Sequence, residues 1–298
     1  MTVRAAALDP GRTRRAVRLR RAAARGGLYA LVVLLATLFS IPSYWTLVGS
    51  IKRISEILIV PPIWWPAAPQ WGNYARVWEL TPYGLFFTNT LTVSAASTLG
   101  QVLTASLVGY GFARYRFPGR DPLFMLVLST LMIPYHVRLI PEYLLFAGKV
   151  IPQLKWTDTF LPLIVPPFFG NPLYIFLLRQ FYQSVPLEMD DAAKIDGASY
   201  LQILTRIMIP LSLPALGTIS ILSFVLHWND FFRPLIYLSS RSNHTVAIAL
   251  RNFQADFGAT PWHLMMAASM VALVPVVVVF FLAQRYFVQG VVITGLKG

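Results

Sequence analysis

Cysteine is absent from this 298-residue chain, which excludes disulfides, thiolate metal sites and a cysteine nucleophile. Charge is scarce: 12% of residues are Asp, Glu, Lys or Arg, about half the share of an ordinary soluble domain. Acid is scarcer still, with 12 carboxylates against 25 cations. No G-x-x-x-x-G-K-S/T run occurs, so the loop that cradles nucleotide phosphates is missing and the chain is expected to hydrolyse no ATP itself. The H-E-x-x-H and G-x-S-x-G signatures are missing too. The histidines, His136, His227, His244 and His263, are far apart and read as interfacial polar residues, not metal ligands. The expectation is a non-enzyme with no catalytic residue, no metal and no cofactor in this chain.

What the chain has in quantity is apolar surface. It is 56% hydrophobic with a mean hydropathy of +0.59. A soluble fold with so little polar surface would aggregate, so lipid is the expected solvent. A membrane span needs about 20 mostly apolar residues. Six segments qualify: Leu28–Ser50, Leu85–Ala113, Leu123–Ile140, Phe160–Leu178, Ile207–His227 and Leu264–Tyr286. The second is the most polar, and its small residues (Ala95, Ala96, Gly100, Ala105, Ser106, Gly109) suit a helix packed closely against others. The expected class is an all-α membrane protein.

The net charge of +13 is concentrated at one end, where Arg4, Arg12, Arg14, Arg15, Arg18, Arg20, Arg21 and Arg25 precede the first apolar run. A basic tail beside a hydrophobic helix reads as a cytoplasmic anchor facing anionic lipid. No basic face interleaved with aromatics follows, so nucleic acid is not an expected partner. The first apolar run is too long for a signal peptide and lacks a small-x-small cleavage site, so it reads as a retained span. The chain thus divides into a cytoplasmic tail, residues 1–27, and a six-span domain, residues 28–298. The tail puts the N-terminus inside, and six spans return the C-terminus inside. All eight tryptophans then fall at or near the outer face, where amphipathic indoles suit an interface. The outer loop Lys52–Pro82, rich in proline and tryptophan, is expected to be ordered against the membrane.

The inner loop between the fourth and fifth spans, about residues 184–206, carries the most information. Ser184 suits a helix cap, Pro186 a first turn, and Glu188, Asp190 and Asp191 the positive end of a helix dipole. Asp196-Gly197 signals a turn. Tyr200, Leu201, Leu204 and Ile207 then recur at helical spacing. The loop reads as a short helix, a glycine turn and a second helix running into the membrane. It is a compact knob with small residues at Ala192 and Ala193.

At these residues the chain resembles the permeases of binding-protein-dependent importers. Their inner-loop motif runs E-A-A, three residues, G, nine residues, I-x-L-P. Here it reads Asp191-Ala192-Ala193, Gly197 and Ile207-x-Ile209-Pro210, with the spacing intact. Further matches are Trp228-Asn229-Asp230-Phe231, Pro234-Leu235, Ala283-Gln284-Arg285-Tyr286 and Gly295-Leu296-Lys297-Gly298. Together these look like carbohydrate-uptake permeases, the maltose-type second subunit especially. The resemblance implies the type I ABC importer permease fold in the prokaryotic cytoplasmic membrane. It implies a second homologous permease subunit, two ATP-binding subunits that bind ATP and Mg, and an extracytoplasmic solute-binding protein. It makes the 184–206 loop the coupling helix that docks on an ATPase subunit, through Asp191, Ala192, Ala193, Gly197, Ile207, Ile209 and Pro210. The solute it implies is a sugar or related polyol. Some relatives carry glycerol phosphodiesters, which is the alternative.

Two readings are open for Asn89, Gln101, Asn171, Asn229 and Asp230. They line a translocation path and bond solute hydroxyls, or they hydrogen-bond helices to one another. Asp230 has Arg233 within reach as a partner. An ion-coupled secondary transporter, the rival class, needs ionisable residues in mid-span, and the central portions of the expected spans have none.

Overall fold

The computed structural model describes residues 10–257 and 260–295. Arg4 of the basic tail and the closing Leu296-Lys297-Gly298 lie outside them. Helix α1 (Pro10–Ser50) has 41 residues, about 60 Å at 1.5 Å per residue. The expected boundary at 27/28 falls inside it, so residues 10–27 of the tail and the first expected span are one continuous helix. Most of α1 is exposed, and burial begins only at Val48, Gly49 and Ser50. There the 51–82 loop folds back with α2 (Gly72–Leu80). Asn73 Nδ2 donates to the Ser50 carbonyl (2.9 Å) and the Lys52 carbonyl (3.0 Å). The buried Lys52 ammonium lies 4.1 Å from the centre of the Trp45 ring.

The central element is α3 (Tyr83–Arg114), whose 32 residues span about 48 Å. It is followed by α4 (Arg120–Ser129), α5 (Tyr135–Phe146), α6 (Leu161–Ile164) and α7 (Pro172–Ser184). The loop region holds α8 (Leu187–Ile195), α9 (Tyr200–Ile203), a π-helical turn at Leu204–Met208 and α10 (Ile209–Leu211). The chain closes with α11 (Leu213–Trp228), α12 (Phe232–Tyr237), α13 (Val246–Phe257) and α14 (Trp262–Gly295). α7 and α11 pack on α3, while α14 packs on α11 and α1. Gly109 is what lets α7 approach: a Cβ there would lie 3.2 Å from the Arg179 backbone nitrogen, the Ile175 carbonyl oxygen and Leu178 Cβ.

The core divides by depth. At the end carrying the 184–206 loop, Ala105, Tyr110, Leu178, Tyr182, Ile203 and Met208 pack together. At the opposite, tryptophan-bearing end, Val77, Tyr83, Phe86, Phe253 and Ala267 do so, and Tyr83 donates its hydroxyl to the Ala268 carbonyl (2.6 Å).

Among the described residues, four helices are long and apolar enough to cross a membrane: Ala23–Ser50, Tyr83–Arg114, Leu161–Ser184 and Trp262–Leu282. The other two expected spans need correction. The expected Leu123–Ile140 span is not straight: Arg120–Met132 meets Tyr135–Phe146 at 96°. Pro134 offers no N–H to the helical ladder and keeps Ile133 extended (φ −84°, ψ 110°), so the helix ends there. The expected Ile207–His227 span starts too early, because Tyr200–Leu211 meets Leu213–Trp228 at 79°. The break is at Ser212, whose hydroxyl bonds back to the Met208 carbonyl (2.7 Å), with Pro214 in the next helix's first turn. Six spans result when each bent pair counts as one. The fourth runs past Leu178 to Ser184, and its first part is interrupted by a 3-10 turn at Pro166–Phe169.

Candidate functional site

Two places hold all the sequence-predicted residues but Asn89: the knob made by the 184–206 loop with the segment that follows it to Pro210, and a cavity midway along α3.

The knob is built by local signals that agree with one another. Glu188 and Asp190 occupy the first turn of α8, and Lys194 its last. Gly197 then adopts φ +80°, a left-handed conformation that glycine takes without strain. Backbone bonds from Asp196 N–H to the Ala192 carbonyl (3.1 Å) and from Ala198 N–H to the Ala193 carbonyl (2.9 Å) close the helix end. Ser199 caps α9 reciprocally with Gln202, the Ser199 N–H donating to Gln202 Oε1 at 2.7 Å.

The seven motif residues do not share one surface. Asp191 and Ala192 are exposed, Asp191 pairing with Lys194 at 3.2 Å. Ala193 is buried against the core, whereas Gly197 is open, with nothing within 4 Å of a built Cβ. Ile207 and Ile209 are half-buried and pack on the loop-end core, and Pro210 is exposed. The motif is therefore part outward face and part inward buttress. The outward face has members the sequence reading missed. Ile195, at the tip, is 87% exposed, and Leu187, Met189, Tyr200 and Leu201 are exposed too. The available signal was an isoleucine set between Lys194 and Asp196 at a turn.

Asp190 was also missed as a distinct residue. Its side chain is 4% exposed and faces Arg114, 3% exposed, with Nε to Oδ2 at 3.5 Å. Arg114 Nη2 also donates to the Val185 carbonyl at 2.8 Å. Burial raises the Asp190 carboxyl above its ordinary range, and Arg114 opposes that rise. The Tyr115 and Tyr200 rings meet at 4.7 Å, so the end of α3 touches the loop on both sides of Gly197.

The cavity, about 850 Å³, lies between α5, the 166–172 break, α11 and α3. Gln101, Asn171, Asn229 and Asp230 all line it. Each also serves the fold. Gln101 Oε1 accepts from the Ser223 hydroxyl (2.6 Å), and Asn171 Oδ1 caps α7 by accepting from Leu173 N–H (3.0 Å). Asn229 Nδ2 donates to the Val225 carbonyl (2.9 Å), and Asp230 lies 3.9 Å from Arg233 Nε. Asn89 is elsewhere. Its amide donates to the Ser242 (2.8 Å) and His244 (3.0 Å) carbonyls, tying α3 to the loop before α13. The cavity also has Tyr135, Phe232, His227 and an Arg138–Glu142 pair at 3.5 Å on its wall, none of them in the sequence-predicted set. Among the described residues no group of three or more His, Asp or Glu could hold a metal.

Residues 101–293 match the family described as binding-protein-dependent transport system inner membrane component. The chain is 32% identical over 277 residues to the arabinooligosaccharides transport system permease protein AraQ of Bacillus subtilis, covering 92% of this chain and 96% of that one. It is 31% identical over 282 residues to the osmoprotective compounds uptake permease protein GgtD of Synechocystis sp., covering 91% of each. It is 32% identical over 269 residues to the sn-glycerol-3-phosphate transport system permease protein UgpE of Pectobacterium atrosepticum, covering 88% and 93%. Its fold is similar to a chain in the crystal structure of a bacterial ABC transporter involved in importing the acidic polysaccharide alginate. That match has a TM-score of 0.77 at 21% identity over 90% of this chain and 98% of the other.

Proposed function

The chain belongs to the family of binding-protein-dependent transport system inner membrane components, and we propose that it is one of two homologous permease subunits in an ATP-driven importer of a sugar or related polyol. In this reading the 184–206 knob lies on the cytoplasmic side with both chain termini. Two ATP-binding subunits, which bind ATP and Mg, dock there, and an extracytoplasmic solute-binding protein docks at the tryptophan-bearing end. This chain does no covalent chemistry. It supplies half of a path and the lever that opens it.

The observation that carries the reading is the knob itself. The apolar side chain of Ile195 is 87% exposed on a segment outside the candidate spans, and Tyr200 and Leu201, at the start of the last bent pair, are exposed beside it. Exposed apolar surface of this kind marks a protein contact. Its motif residues sit on a turn that holds its shape through glycine and a reciprocal cap.

The cavity supports a neutral solute over a phosphate-bearing one. Its two arginines, Arg138 and Arg233, each lie beside a carboxylate, Glu142 and Asp230, so this wall offers no surplus cation for an anion. The names of AraQ and UgpE include one solute of each kind. The test is uptake by vesicles containing the whole transporter, with labelled oligosaccharide and glycerol phosphodiester offered through their binding proteins. Uptake should need ATP and a binding protein, and should favour the neutral solute. Uptake driven by an ion gradient alone would refute the proposal.

A further inference from the structure

The ion pair Arg114–Asp190 is difficult to explain as a stabilising contact. Both side chains are almost wholly buried, and their closest approach is 3.5 Å. Asp190 Oδ1 and Arg114 Nε have no hydrogen-bond partner, and neither has the nearby buried hydroxyl of Tyr110. Burying two charges carries a desolvation cost that their attraction must first offset, and an apolar pair of similar shape is often as stable. The pair does, however, fix geometry. Arg114 is the last residue of α3, and it reaches both the α7–α8 link, at the Val185 carbonyl, and α8, at Asp190. The exposed motif residues Asp191 and Ala192 and the apolar tip at Ile195 lie on the outward face of the same segment. From Arg114 back to Gln101 on the cavity wall is thirteen residues of unbroken α3, about 20 Å.

We infer that Arg114 and Asp190 are positioning residues. They form the joint through which displacement of α8 is passed to α3 and so to the cavity wall. A buried charge pair anchored by the directional Arg114–Val185 hydrogen bond does not slide as an apolar contact does. Swapping it for apolar side chains should leave the fold and the docked complex in place while letting the knob move without α3. The inference rests on the importer reading above.

The test uses the whole transporter in lipid vesicles. Because this chain has no cysteine of its own, Leu226→Cys on the cavity wall is a clean reporter in this subunit once any partner cysteines are removed. Its rate of reaction with a maleimide is measured before and after trapping with ATP and vanadate. In the native background, trapping should change the rate by about fivefold or more, the lower bound of ordinary allosteric coupling. With Asp190→Asn, and with the apolar double variant Arg114→Met/Asp190→Leu, the change should fall below about twofold. Trapped nucleotide and recovered ATPase subunit should remain at native levels. Arg114→Lys, which keeps the charge but cannot grip both partners at once, should fall between. A native-sized change in both neutralised variants overturns the joint while leaving the importer reading intact. Loss of the ATPase subunit from both means the pair only holds the fold, and overturns it as well. No nucleotide-driven change in the native background overturns the importer reading and the joint with it.

Discussion

Replacing Gly197 with valine separates the backbone of the knob from its bulk. Gly197 stands at φ +80°, and a Cβ built there meets nothing within 4 Å. Within this chain the cost is therefore conformational, not steric. A left-handed backbone costs an L-residue roughly 1–2 kcal/mol, and a β-branched side chain belongs at the upper part of that range. At about 1.4 kcal/mol per factor of ten, the knob's native turn would lose roughly five- to thirtyfold in population relative to its alternatives. Two backbone bonds are at stake, Gly197 N–H to the Lys194 carbonyl (3.0 Å) and Ala198 N–H to the Ala193 carbonyl (2.9 Å). The apolar spans lie outside this turn, so insertion should stay near normal while transport is lost and co-purification with the proposed ATPase subunit weakens. Gly197→Asn distinguishes the two causes, because asparagine tolerates φ > 0 yet adds comparable bulk. Asn close to wild type means the conformation matters; Asn as impaired as Val means the docking surface has no room. Gly119→Val is the control: it imposes the same strain at φ +79°, also in open space, in the loop between α3 and α4. It should keep its ATPase. Full transport by Gly197→Val, or loss of insertion in place of coupling, would refute the argument.

Topology is checked by single cysteines at Ser55, Ser242 and Ser199, all exposed; an impermeant thiol reagent should reach the first two from outside intact cells and not the third. Gly109→Leu, at the α3–α7 contact, should destabilise by roughly 1–3 kcal/mol from overpacking, read as a lower unfolding temperature of the purified protein in detergent. Asp158 accepts the amides of Ser239 (2.9 Å) and Ser240 (2.8 Å), and these bonds, with the Ser240 hydroxyl's, hold its carboxyl well below the ordinary 3.8. A depressed carboxyl stabilises at pH above its unfolded value and loses that contribution as pH falls toward its folded one. Amide-exchange protection at Ser239 and Ser240 should therefore hold from neutral pH down to about 4 and decline below it, and Asp158→Asn should remove that decline.

Much of the architecture was readable because composition reports lipid exposure directly. α1, α3 and α14 are long, apolar and near where hydropathy put them. Direction is not written in hydropathy. A window over Leu123–Ile140 averages the same residues whether the chain runs straight or turns 96° at Pro134. A proline does not by itself tell the two cases apart: Pro275 sits within α14, while at Pro134 the helix ends. The motif spacing located the knob but not its faces. Asp190 and Asp191 are neighbours in sequence, about 100° apart on a helix, and only the position of Arg114 decides which is buried. Asn89 was placed with Gln101 because both are polar residues of one span. What separates them is a loop 153 residues further on, whose carbonyls take the Asn89 amide.

The π-helical turn at Leu204–Met208 gives the motif's fixed spacing a meaning. A π turn is an α-helix that has accepted one inserted residue. Each residue of an α-helix advances the chain by about 100° of rotation and 1.5 Å of rise. The nine residues between Gly197 and Ile207 thus act as an angular setting, since the wide turn falls at the end of that interval. Deleting one of them is absorbed as the wide turn tightens into ordinary helix, whereas inserting one more has no such reserve and would swing Ile195 and its neighbours about 100° around the axis. Composition, charge and hydropathy would barely change. The count of residues in this stretch is a bearing, and a knob of unchanged chemistry would face the wrong way.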